Sequence, residues 1–150
     1  MRLALYQPDI PQNTGTLMRL CAAMDVPLDI IEPCGFALDE KKVRRSAMDY
    51  FDYLNLTRHA SWEAFQQQFK DRRLVLLTTK TDVLYTGFEF HADDILMAGR
   101  ESAGVPDDVH NICDARIRVP MAADIRSLNV AVSCSMVLGE ALRQTQQFPE

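Results

Sequence analysis

The chain has 150 residues, of which 47% are hydrophobic and 25% charged, and its formal net charge is −5. That length fits one domain spanning residues 1–150 with a sizeable core, and no stretch approaches the ~18 uninterrupted apolar residues of a membrane span. The acidic balance argues against a protein that holds nucleic acid by positive charge spread over its whole surface.

In chain order, RLALYQ (2–7) is a short buried strand that Pro8 and Pro11 end, not the start of a secretory signal. Asn13 is the expected N-cap of a helix on which Leu17, Leu20, Cys21 and Met24 recur at helical spacing. LDIIE (28–32) is a second strand, closed by Pro33 and Gly35. Asp39 caps a helix running to about Met48, and FDYLNLT (51–57) alternates as a third strand. SWEAFQQQF (61–69) is a Ser-capped helix, and RLVLLTT (73–79) is the clearest strand of the chain. Residues 81–94 form a loop with at most a brief extended piece, ILMAG (95–99) is a buried strand, and RESAGVPDD is loop chemistry. ARIRVP (115–120) is the last strand and 127–146 the last helix, with Ser127 as its cap.

Strands with continuous apolar runs alternating with helices specify an α/β fold, a mostly parallel sheet with helices on both faces. Ligands of such sheets bind beyond the carboxyl ends of strands. The turns after Leu77, Ala98 and Val119 are therefore the candidate site. The four cysteines (Cys21, Cys34, Cys113, Cys134) form no CxxC pair and histidines are scarce, so the thiols are expected reduced, in a cytoplasmic protein, with no metal.

Three motifs carry chemistry. PQNTGTLMRLC (11–21) offers helix-opening N–H groups near Asn13 and Gly15, with Arg19 one turn on and off the apolar stripe. MAGRESAGVP (97–106) follows a buried strand, and its Gly99 lets backbone approach a ligand, with Glu101 just beyond. RVPMAADIRSLNVAVSCSM (118–136) passes through a polar bend into a helix without a charge between Val130 and Leu138. Its Ala131, Ser135 and Gly139 make a small-residue stripe suited to a subunit contact. KKVRR adds Lys41, Lys42, Arg44 and Arg45 as a local basic cluster on the acidic chain.

Taken with IIEPCGF, RRSAMDY and LTTK, these motifs in this order resemble the SPOUT family of RNA methyltransferases over nearly the whole chain. The likeness is greatest to its small single-domain branch, which methylates the ribose 2′-oxygen of cytidine or uridine at the tRNA wobble position. The resemblance implies a C-terminal trefoil knot, a homodimer, and S-adenosylmethionine bound in the knot loops. It assigns the cofactor to Leu77, Thr78, Gly99, Glu101, Val119, Met121, Ser127 and Leu128, and catalysis to Arg19. Asn13, Lys41, Lys42, Arg44 and Arg45 would meet the tRNA anticodon stem-loop, the lysines and arginines through phosphates. The chain departs from the family in having Ala98-Gly99-Arg100-Glu101 where Phe-Gly-Pro-Glu is common. The alternatives are a non-catalytic nucleotide- or RNA-binding α/β module, a ribose methylase of another RNA site, and a flavodoxin-like domain, for which no flavin-phosphate loop is evident.

Overall fold

A computed structural model describes residues 1–47 and 49–150, so the expected helix end at Met48 lies outside the described residues. Six strands make one sheet: β1 (Arg2–Tyr6), β2 (Leu28–Ile31), β3 (Leu56–His59), β4 (Leu74–Leu77), β5 (Ile95–Ala98) and β6 (Ala115–Ile117). Five α-helices join them: α1 (Pro11–Ala23), α2 (Glu40–Ala47), α3 (Trp62–Gln68), α4 (Asp107–Ile112) and α5 (Val130–Thr145). The strand order is β3-β2-β1-β5-β4-β6, and every pairing is parallel. Leu3 of β1 pairs with Leu28 on one side and Leu96 on the other, so the most apolar strands occupy the centre. The order reverses beside β1, which opens a crevice at the carboxyl ends of the strands.

Both faces are covered, as the continuous apolar strands require. On one face Leu17, Met18 and Cys21 of α1 pack with Cys134, Val137, Leu138 and Leu142 of α5 over Leu3, Leu28 and Leu96. On the other, Phe65 of α3, Val109 of α4 and Cys113 just after it cover Tyr6, Leu76, Ile95 and Met97. The side chain of α5 is thus divided: one stripe is core, while Val132 and Met136 stay 48% and 42% exposed. This helix without charge between Val130 and Leu138 therefore keeps part of its apolar surface outside the core.

Several boundaries differ from the sequence reading. Helix α1 opens at Pro11, whose missing N–H suits the first helical position, and Asn13 lies within the first turn instead of capping it. Asn129, not Ser127, caps α5, its Oδ1 accepting from the N–H groups of Ala131 and Val132. Residues 51–53 form a tight helical turn around buried Phe51, so the strand expected there begins only at Leu56. Helix α4 follows Pro106 with Asp107 and Asp108 in its first turn, a helix start obscured by its resemblance to a loop. Ser61 caps α3 as expected, accepting from the Ala64 N–H.

One buried charge cluster ties the sheet edge together. Asp29 of β2 is wholly buried, accepts from Arg2 Nε and Nη2 at 2.7 and 3.0 Å, and lies 2.8 Å from His59 Nε2. His59 in turn sits edge-on to Phe65 and Phe69. Asp29→Ala leaves the Arg2 guanidinium without its counter-charge and should cost about 3–5 kcal/mol, read as a lower urea midpoint. A loss under about 1 kcal/mol would show that the cluster is not a buried pair in solution.

Candidate active site

The turn after β5 is built on glycine. Arg100 and Gly104 exchange two backbone hydrogen bonds (2.9 and 2.8 Å), and Gly104 has φ +63°. A Cβ at Gly99 would lie 2.7 and 2.8 Å from the backbone carbons of Gly104. Gly99 therefore serves first to close this turn, and a larger residue there would disturb the loop as well as any ligand beside it.

Glu101, placed by that turn, organises its neighbours. Its Oε2 accepts from the Asp9 N–H at 3.0 Å, and its own N–H donates to Asp9 Oδ1 at 3.1 Å. The Ser102 hydroxyl donates to the other Asp9 oxygen. Asn13 Nδ2 reaches Glu101 Oε1 at 3.4 Å, while Asn13 Oδ1 accepts from Asn129 Nδ2 at 2.9 Å. The loop after β1, the first turn of α1, the loop after β5 and the cap of α5 are thereby joined through side chains. Burial and the neighbouring Asp9 carboxyl push the Glu101 carboxyl above its ordinary 4.5, and hydrogen bonds with Glu101 and Ser102 hold Asp9 below 3.8.

Beside this network lies a cavity of about 490 Å³, well within the range of cofactor pockets. It is lined by all eight residues assigned from the sequence to the cofactor (Leu77, Thr78, Gly99, Glu101, Val119, Met121, Ser127 and Leu128) and by Asn13. Arg100, Arg118, Lys80 and Cys134 also line it and were not foreseen. Burial pushes the Cys134 thiol up to about 12, so it stays protonated at neutral pH and is no nucleophile. Among the described residues no group of side chains is arranged to hold a metal ion.

Arg19 is not in this cavity. It is exposed on α1, with its guanidinium 5.6 Å from the centre of the Tyr50 ring. Lys41, Lys42, Arg44 and Arg45 are exposed on α2, where Arg44 stacks on Phe51 at 4.5 Å and pairs with Asp52 at 2.5 Å. The 50–53 segment thus touches both Arg19 and Arg44, and none of the five basic residues lines the cavity.

The SpoU rRNA methylase family profile matches residues 1–139. The chain belongs to that family. This SpoU-family chain is 58% identical over 144 residues to a tRNA (cytidine(34)-2′-O)-methyltransferase of Beijerinckia indica, covering 95% of this chain and 90% of the relative. It is 40% identical over 146 residues to the Escherichia coli enzyme of the same name, at 96% and 93% coverage. Among solved structures, one concerned with 2′-OH methylation of C/U34 on tRNA matches with a TM-score of 0.87 at 35% identity, over 95% of this chain and 94% of that one. The SpoU methyltransferase AviRb of Streptomyces viridochromogenes, in complex with AdoMet, matches with a TM-score of 0.82 at 26% identity, over 96% of this chain and 57% of that one.

The carboxyl pair of the SpoU-family site has a thermodynamic consequence. Glu101 binds its proton more tightly in the folded state, so the stability linked to it is complete below pH 4.5 and lost as pH rises through the raised folded value. Asp9 acts oppositely, its stabilisation being lost only as pH falls below 3.8. Glu101→Gln should therefore flatten the decline of Tm just above pH 4.5. Calorimetric scans showing parallel pH profiles for the two proteins would contradict this.

Proposed function

We propose that this chain transfers a methyl group from S-adenosylmethionine to the ribose 2′-oxygen of the wobble nucleotide, position 34, of tRNA. The observation that carries this reading is near full-length identity, up to 58%, to enzymes bearing that name. The 150 residues act as one methyltransferase domain.

The cavity fits such a cofactor. Leu77, Val119 and Leu128 give apolar surface for an adenine, Thr78 and Ser127 give hydroxyls, and two cavity arginines have buried nitrogens without partners. The cofactor supplies a methyl group on a sulfonium, an activated carbon that needs no metal. Glu101 and Asn13 fix the cavity wall against α1, and Asn129 holds the start of α5 at its mouth. Lys41, Lys42, Arg44 and Arg45 position phosphates of the anticodon stem-loop, whose unpaired bases can be splayed out. The resemblance to the SPOUT family supports a trefoil knot in the C-terminal half, and the four free thiols, three of them buried, support a cytoplasmic setting.

Arg19 stands on the substrate side, outside the cavity. A guanidinium does not give up its proton in proteins, so Arg19 stabilises charge developing on the attacking 2′-oxygen while a substrate phosphate or water takes the proton. Arg19→Ala should lower single-turnover methylation ~100- to 1,000-fold. Arg19→Lys should fail nearly as badly because the planar fork is lost. Cofactor affinity should stay within about twofold, because the side chain is not part of the cavity. Near-normal transfer by Arg19→Ala would remove it from the mechanism.

The working form is a homodimer formed through α1 and α5. Val132 and Met136, one turn apart on α5, leave apolar surface exposed, as do Ile10 and Leu128 at the cavity. Met136→Arg should yield a folded monomer by light scattering at micromolar concentration, since the residue is 42% exposed in the protomer. A dimer of unchanged mass would exclude this face.

The direct test of the function is methyl transfer by purified protein to an unmodified tRNA transcript, mapped by mass spectrometry. A 2′-O-methyl at nucleotide 34 is expected. Methylation elsewhere would assign the enzyme to another RNA site, and no transfer would leave a binding module.

A further inference from the structure

Two arginines that line the cavity each hold a shielded donor without a hydrogen-bond partner. Arg2, Arg44, Arg58, Arg73 and Arg143 each form an ion pair with a carboxylate. Arg100 and Arg118 form none among the described residues, and the Nε of each is shielded from solvent without a hydrogen-bond partner. A buried, unmet donor is costly, and a donor on a charged group more so. Both side chains line the same cavity.

They also stand on the same face of the sheet. Arg116 donates from Nη1 to the carbonyls of His110 and Cys113, which places it on the α4 face. Arg118 is two residues further along the extended chain, held there by backbone bonds to Val83 and Tyr85, and so points to that face as well. Ile117 and Val119, which alternate with the two arginines, belong to the core under α1 and α5. The Arg100 guanidinium lies 5.5 Å from the centre of the Tyr6 ring, and that ring packs edge-on against Trp62 of α3. The two guanidinium groups therefore flank the part of the cavity opposite α1, the helix that carries Asn13 and Arg19.

We propose that Arg100 and Arg118 form an oxyanion subsite that takes the α-carboxylate of S-adenosylmethionine. The inference rests on the reading that this cavity holds that cofactor. A guanidinium presents Nε and Nη donors in a planar fork that matches a carboxylate or a phosphate. The enclosed position of both Nε atoms favours a small carboxylate over a bulky RNA backbone, and the substrate-facing side chains lie on the other side of the sheet. Arg100 also occupies the position where proline is common in the family, so this arm of the subsite distinguishes the chain from those relatives.

The test is calorimetric binding of S-adenosylmethionine and of decarboxylated S-adenosylmethionine to the wild type, Arg100→Gln and Arg118→Gln. Glutamine keeps much of the packing, and thermal melts check that each variant folds. The wild type should bind the decarboxylated compound roughly 10- to 100-fold more weakly. Each variant should bind S-adenosylmethionine more weakly and bring the ratio of the two affinities toward one. Unchanged ratios with weaker, less salt-dependent tRNA binding would overturn the carboxylate assignment and identify an RNA phosphate as the oxyanion. Unchanged affinity for cofactor and tRNA alike would overturn the subsite. A wild type that binds neither compound would instead sink the cofactor reading itself.

Discussion

Glu101 is the side chain on which the architecture of the site depends. A parallel sheet ends in loops, and loops do not by themselves hold a cavity open to a fixed shape. Here one carboxyl group receives the backbone of Asp9 and the amide of Asn13, and Asn13 receives Asn129 at the cap of α5. Three regions remote in sequence, around residues 9–13, 101 and 129, are thus held to one another at the strand ends. The arrangement also explains why so polar a bend precedes so apolar a helix: the polar residue that matters is Asn129, which serves α5 with its oxygen and Asn13 with its nitrogen.

Charge is divided to match. The chain is acidic overall, yet Arg44 of the basic cluster on α2 and Arg19 of α1 both pack on the Tyr50–Phe51 segment. The cavity instead carries the half-buried Glu101 carboxyl on one side and, on the other, two arginines whose Nε donors are unpartnered. Under the proposed function, a polyanionic substrate and a small cofactor bearing one carboxylate need such different surroundings. An acidic net charge excludes only positive charge spread over the whole surface, and it leaves room for the phosphate contacts proposed for α2.

Much of this was legible in the sequence. Apolar runs such as LVLL and ILMA announced buried parallel strands, and the ends of those strands gave the cavity wall, with all eight cofactor candidates on it. What failed were local choices that tertiary contacts override. Asn13 has the chemistry of a cap but is used three residues into the turn to reach Glu101, because Pro11 already starts the helix. The aromatic residues of FDYLNLT alternate like a strand, yet Phe51 turns inward beneath Arg44. Asp9, Arg100 and Arg118 were missed since each matters only through a partner or a cavity distant in the chain. The Pro8-Asp9 break after the first strand was the one hint of the first.

Hydrogen exchange followed by mass spectrometry tests the organising role of Glu101 most directly. In Glu101→Ala, the account predicts faster exchange at the amides of Asp9, Ala131 and Val132, unchanged protection in β1 and β5, and weakened cofactor binding. Wild-type protection at those three amides in a variant that has lost the cofactor would contradict it, because Glu101 would then be a ligand contact and not the tie between the segments.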